Sequence, residues 1–197
     1  MSILTGFSHL DDIIEGLHPG ELTVIAGRPG IGKTALCQIL ADEIKRQGKT
    51  VRIGVDTLCF CCASGSCVEM YDMVNSDPIT GKKYDVVFLS ALYPADKRQA
   101  ADIYGKLKAF AADEGVAVVV EIAIDKRVER SATHRPGFEH IKYSAAVEKF
   151  ADNIFILYRE GYYDAAADTS TLEINITKSS SGTLGTLAVK ICGLDCL

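Results

Sequence analysis

The residues Gly27-Arg28-Pro29-Gly30-Ile31-Gly32-Lys33-Thr34 fit the pattern G-x-x-x-x-G-K-[ST], and no other stretch constrains the fold of this chain so tightly. The pattern demands a context: a buried strand must deliver the chain into a glycine-rich turn, and a helix must open at the Lys-Thr pair. Both are legible. Leu22 to Ala26 is a short apolar run that ends in glycine. From Thr34 to Gln47, the residues Leu36, Ile39, Leu40 and Ile44 recur at helical spacing, and Gly48 ends the run. A turn of this kind directs backbone N–H groups inward. The helix N-terminus adds its positive dipole, so the concavity suits a phosphate anion. The residues Gly27 to Thr34 therefore read as the cradle of a nucleoside triphosphate, ATP. Lys33 is placed on the β- and γ-phosphates, and Thr34 offers its hydroxyl to Mg²⁺.

The remaining pattern alternates strands with helices. Val51 to Val55, Val86 to Leu89, Val116 to Val120 and Asn153 to Tyr158 are continuous apolar runs, read as strands. Ala95 to Asp113 carries Ile103, Leu107, Phe110 and Ala111 on one helical face, and Ser144 to Phe150 reads as a short helix. Thr171 to Thr177 and Thr186 to Ile191 form a terminal hairpin turning around Gly182. Apolar strands separated by helices imply a mainly parallel sheet covered on both faces, here with an antiparallel C-terminal edge. The expectation is one α/β nucleotide-binding domain over residues 1–197. Asp125 to Tyr143 is polar and reads as a loop, while residues 59–83 show no firm periodicity.

Composition narrows the class. At 48% hydrophobic residues, a chain of 197 can bury a core without staples. A net charge of −5 argues against a general polyanion binder, which needs clustered Lys and Arg. No apolar run reaches membrane-spanning length, and the N-terminus lacks the basic-then-apolar layout of a signal peptide. A cytoplasmic protein is expected. Four of the seven cysteines, Cys59, Cys61, Cys62 and Cys67, crowd together, but their gaps do not match zinc-ligand spacing. They read as reduced thiols.

Thr5-Gly6-Phe7, Leu10-Asp11, Gly16-Leu17, Pro19-Gly20 and Leu22 lead into the loop without a gap. With the loop itself, this segment resembles the start of the C-terminal motor domain of DnaB-type replicative helicases, a RecA-like P-loop fold. Thr5-Gly6-Phe7 and Arg28-Pro29 favour that type over the recombinase and clock-protein types. Leu107-Lys108-Ala109 to Val119, Ile141 to Asp152, Ile156-Leu157-Tyr158-Arg159, and Lys178 with Gly182, Gly185 and Thr186 extend the resemblance over most of the chain outside Thr57 to Lys83.

The resemblance also marks departures. The family ends its third strand with an Asp that holds Mg²⁺ through water; here Leu89 is followed by Ser90, and Asp85 stands at the wrong end of the strand. The polar sensor expected after the fourth strand is replaced by Ile122-Ala123. The hairpin Lys-x-Arg, whose Arg reaches a neighbouring subunit's γ-phosphate, becomes Lys178-Ser179-Ser180. The stretch between the second and third strands is shorter than the family's, and the expectation is a chain without the family's N-terminal helicase domain. Asp56 falls near the position of the family's catalytic carboxylate, where it would orient water or support Mg²⁺; the alternative is a turn cap.

Lys126, Arg127, Arg130, Arg135 and Lys142 lie in a stretch that the resemblance turns toward single-stranded DNA, where phosphate contacts would be sequence-independent. A solvated surface loop is the other reading of the same charges. The resulting expectation is an ATP-binding, helicase-like domain of DNA replication with weakened or absent hydrolysis, a monomer or small oligomer. Its partners are nucleotide and, by resemblance, single-stranded DNA or helicase subunits. An active DNA-dependent motor and a non-catalytic regulatory module are the alternatives.

Overall fold

The structure is a computed structural model that describes residues 2–54, 83–90, 94–131, 133–164 and 166–191. Helix α1 (Ser8–Ile14) precedes β1 (Leu22–Gly27), and α2 (Lys33–Arg46) follows the loop. Then come β2 (Val51–Gly54), β3 (Val86–Leu89), α3 (Lys97–Glu114) and β4 (Ala117–Ala123). The chain continues through α4 (Ser144–Phe150), β5 (Asn153–Tyr158), β6 (Thr171–Lys178) and β7 (Gly185–Lys190). The strands form one seven-stranded sheet in the order β2-β3-β4-β1-β5-β6-β7. β2, β3, β4, β1 and β5 run parallel, and β6 and β7 add to β5 as an antiparallel hairpin.

The continuous apolar strands are explained by burial on both faces. Val24, Ala26, Val118, Val120, Ile154 and Ile156 meet α3 and α4. The alternate residues Ile25, Val119, Phe155 and Leu157 meet α1 and α2. Thus one period-two pattern serves two separate cores. β1 is central, flanked by β4 on one side and β5 on the other. The loop that leaves β1 therefore sits at the point where strand order reverses, which is where open α/β sheets place their ligands.

Three expectations need correction. β4 does not stop at Val120; it runs through Glu121 to Ala123, because pairing with β1 continues from Leu22–Val118 to Gly27–Ala123. The third helix starts at Lys97 rather than Ala95, since Asp96 caps it by accepting from the Gln99 N–H at 2.8 Å. The polar stretch from Asp125 to Tyr143 is more ordered than a loop. It holds 3₁₀ turns at Lys126–Arg130 and Phe138–His140, a bridge between Ile124 and Ile141, and a fully buried Val128.

Asp85 has a structural task at the end of the sheet opposite the loop. Its carboxylate accepts from the Thr50 N–H at 2.8 Å and the Thr50 hydroxyl at 2.7 Å, and it pairs with Lys49 at 3.4 Å. These contacts join the start of β2 to the start of β3. Partial burial pushes the carboxyl up, but the bonds from Thr50 and Lys49 outweigh this and hold it below the ordinary range. Because the folded value is depressed, this stabilisation is present above the ordinary Asp value of about 3.9. It is lost as pH falls through the folded value. Asp85→Ala is expected to lower the unfolding free energy by about 1–2 kcal/mol at neutral pH. The difference from wild type should shrink in acid, as read from urea midpoints; equal midpoints at neutral pH would contradict the assignment.

Candidate nucleotide site

The loop is shaped by positions that tolerate little else. Gly32 caps α2 with φ of 115°, and Gly30 has φ of 75°, both in the left-handed region that side chains disfavour. At Gly27 a Cβ would stand 2.8 Å from the Ile31 side chain and 3.3 Å from that of Leu157. Ile31 is buried and pins the loop to the core beneath α2. Pro29 and Gly30 lie exposed at the tip.

Arginines brace both flanks. Arg28 is buried; its guanidinium donates to the Ile124 carbonyl at 3.4 Å and pairs with Glu129. Its Nε is buried without a partner. Arg159, just past β5, donates to the Gly30 carbonyl at 3.2 Å. Lys33 is folded back on the loop, with its ammonium 3.1 Å from the Gly27 carbonyl and 3.0 Å from that of Arg28. Burial lowers the Lys33 ammonium below its ordinary value, against the opposing pull of Glu121.

Glu121 is the functional candidate that the sequence reading missed. It is only 5% exposed, and its Oε2 accepts from the Thr34 hydroxyl at 2.8 Å. Burial raises the Cys37 thiol well above its usual value, and the charge and hydrogen-bonding oxygen of Glu121 raise it further. The available signal was one acid inside the apolar run Val116 to Ile124. A charge on a doubly buried strand needs a reason.

An aromatic group stands beside the loop. Tyr163 stacks on His134 at 4.7 Å and on Tyr158 at 5.9 Å, and meets Tyr162 edge-on at 4.9 Å. The exposed Tyr162 lies against Gly30, with a ring carbon 3.5 Å from where a Cβ would stand.

The departures noted in the sequence fall in two places. Ala123 pairs with Gly27 at the root of the loop, so the position expected to hold the sensor adjoins the site but presents a methyl group. Ser90 follows β3 and donates its N–H to the Gly54 carbonyl at 3.4 Å. Ser180 lies at the far end of the sheet, where its N–H donates to Asn153 Oδ1 at 3.0 Å, and Asn153 pairs with Thr23 at the start of β1. Lys178 caps α4 by donating to the Glu148 and Ala151 carbonyls at 2.7 and 2.6 Å. Asp56 lies outside the described residues, as do Cys59, Cys61, Cys62 and Cys67.

The basic residues do not form one patch. Arg135 pairs with Glu173 through its two terminal guanidinium nitrogens and covers the Tyr158 ring at 4.3 Å. Arg127 pairs with Asp125 at 3.1 Å, and Lys142 lies over Tyr143. Lys126 and Arg130 are exposed. Among the described residues, no helix is long and apolar enough to cross a membrane.

A parallel sheet with this loop at its switch point and an antiparallel C-terminal hairpin is the RecA-like fold. Its likeness to solved structures is extensive. A structure titled as a DnaB-like replicative helicase and its interactions with primase matches with a TM-score of 0.83 at 20% identity, covering 98% of this chain and 60% of that one. A second solved structure, titled as an ATPase domain, matches with a TM-score of 0.78 at 20% identity, covering 96% of this chain and 88% of that one. The family model for the DnaB-like helicase C-terminal domain matches residues 2–61 and 88–193, and the chain belongs to that family. It is 24% identical to the replicative DNA helicase DnaC of Bacillus subtilis, over 95% of this chain and 54% of that protein. It is also 24% identical to the replicative DNA helicase DnaB of Haemophilus influenzae, over 97% and 53%. The chain thus spans about half the length of the curated relatives it matches.

Proposed function

We propose that this chain is an ATP-binding domain of the DNA-replication apparatus in which hydrolysis is weakened or absent. One observation carries the nucleotide assignment. The glycine loop stands at the switch point between β1 and α2, with the Lys33 ammonium folded onto its Gly27 and Arg28 carbonyls and Thr34 in the first turn of the helix that follows. Backbone N–H groups, the α2 N-terminus and Lys33 supply the positive field for the phosphates. The exposed Tyr162 beside Gly30 offers an aromatic face to a base. Mg²⁺ when bound supplies charge neutralisation at the phosphates, and Thr34 would hold it.

Weakened turnover is supported by what surrounds the cradle. Phosphoryl transfer depends on positioned metal, an oriented nucleophile and a cation on the developing charge; an arginine finger alone is worth a factor of about 10³–10⁵. Here the corresponding positions hold Ser90, Ala123 and Ser180. Asp56 is retained as the proposed catalytic carboxylate. Contact with single-stranded DNA is proposed through Lys126, Arg127, Arg130 and Lys142. Arg135 contributes less, because its guanidinium is committed to Glu173. A cytoplasmic location and a single domain over residues 1–197 belong to the same proposal.

ATP–Mg²⁺ at 100 times its dissociation constant should stabilise the fold by about 2.7 kcal/mol. Lys33→Ala should remove most of that gain, as measured by thermal unfolding. An unchanged melting temperature at millimolar ATP, with no binding heat by calorimetry, would sink the assignment.

The same geometry bears on assembly. With Ser180 tied to Asn153, the hairpin presents no arginine to a neighbour, and a head-to-tail ring must close to be stable. Light scattering of the purified chain should show a monomer or small oligomer with or without ATP. A monodisperse hexamer in either condition would overturn this.

A further inference from the structure

We propose that Glu121 is the metal-side carboxylate of the nucleotide site, standing on β4 in place of the acid that Ser90 does not supply after β3. The inference rests on the nucleotide-binding reading above. Strand alternation sends Glu121 to the α2 face of the sheet, with Val119 and Ala117. In register it lies opposite Ile25 of β1, two residues before the Ala123–Gly27 pair at the root of the loop. β4 neighbours β1 directly, whereas β3 is one strand further out. An acid near the end of β4 therefore reaches the first turn of α2, as the bond to Thr34 shows.

The hydrogen bond has a chemical consequence. The Thr34 hydroxyl donates its proton inward to Glu121 Oε2 at 2.8 Å. Its oxygen lone pairs are then free to face outward, and Thr34 itself is exposed. A hydroxyl oriented this way is prepared to ligate a cation arriving from solvent with a phosphate chain.

The carboxylate also has no direct ion pair among the described residues; Lys33 acts on it only through space. Among the described residues no Lys, Arg or His forms an ion pair with Glu121, although it is 5% exposed. Lys33 of α2 gives its hydrogen bonds to the Gly27 and Arg28 carbonyls instead. The donors that Glu121 does have, a hydroxyl and the weakly donating Cys37 thiol, are neutral. A buried carboxylate whose hydrogen-bond donors are all neutral is costly to keep, even with a cation acting on it through space. A divalent cation beside Thr34 would offset that cost, and the carboxylate would hold the hydroxyl, or a metal-bound water, in place. Glu121 is thus a positioning residue. A purely structural role, tying β4 to α2, would affect stability but not the contribution of metal to nucleotide affinity.

The test is titration calorimetry of ATP into the wild-type chain and Glu121→Gln, each with excess Mg²⁺ and again with EDTA. Glutamine keeps the size and an acceptor for Thr34 but removes the charge. Affinity without metal should be kept or improved, and the gain on adding Mg²⁺ should fall by about 10–100-fold relative to wild type. An equal Mg²⁺ gain in both proteins would overturn this inference and leave the nucleotide-binding reading intact. A wild-type chain that binds ATP in neither buffer would overturn both. Should the Gln variant not fold, Glu121→Asp, which retracts the charge by one methylene, is read by the same two titrations. A reduced Mg²⁺ gain supports the inference and an undiminished one overturns it.

Discussion

The turn from β1 into α2 is fixed from every side, and the rest of the site depends on that rigidity. A loop that aims several N–H groups at one anion works only if neither flank can relax. Below it, Gly27 leaves no room for a Cβ against Ile31 and Leu157. On one side Arg28 reaches the Ile124 carbonyl and Glu129; on the other Arg159 holds the Gly30 carbonyl. The central strand is paired along both edges, to β4 and β5, so its end cannot shift without disturbing both cores. Prior organisation of this kind lets a site bind charge without rearranging at the moment of binding.

The sheet separates tasks by its two ends. At the end bearing the loop stand Glu121, Ala123 and the tyrosines after β5. At the opposite end Asp85 ties β2 to β3, Asn153 receives Ser180, and Lys178 caps α4. The hairpin turn is therefore remote from the chain's own loop. What that turn presents stands away from the glycine loop of the same molecule. In this chain the segment carries serines, and their hydrogen bonds are internal.

Much of this is legible in the residues. The loop pattern, the helical spacing after it and the fully apolar strands are local signals, and the two-faced sheet follows from them. Asp85 reads as standing at the wrong end of β3 for metal binding, and it does stand at the end far from the loop. What the sequence conceals depends on contacts between distant segments. Glu121 breaks an apolar run, so the pattern ends the fourth strand at Val120; only its pairing with β1 and its bond to Thr34, 87 positions away, explain a charge there. Arg135 counts as one of several basic residues until Glu173 and Tyr158, brought alongside by β5 and β6, claim its guanidinium. The order in the stretch from Asp125 to Tyr143 likewise comes from burying Val128 and bridging Ile124 to Ile141. Polar composition alone does not reveal it.

The proposed function joins an intact nucleotide cradle to depleted catalytic surroundings. Steady-state phosphate release at saturating ATP and Mg²⁺, with and without single-stranded DNA, tests it most directly. Turnover is expected far below the range of about 1–10³ s⁻¹ usual for enzymes, with little stimulation by DNA. Turnover within that range, raised further by single-stranded DNA, would contradict it and identify the chain as a working motor.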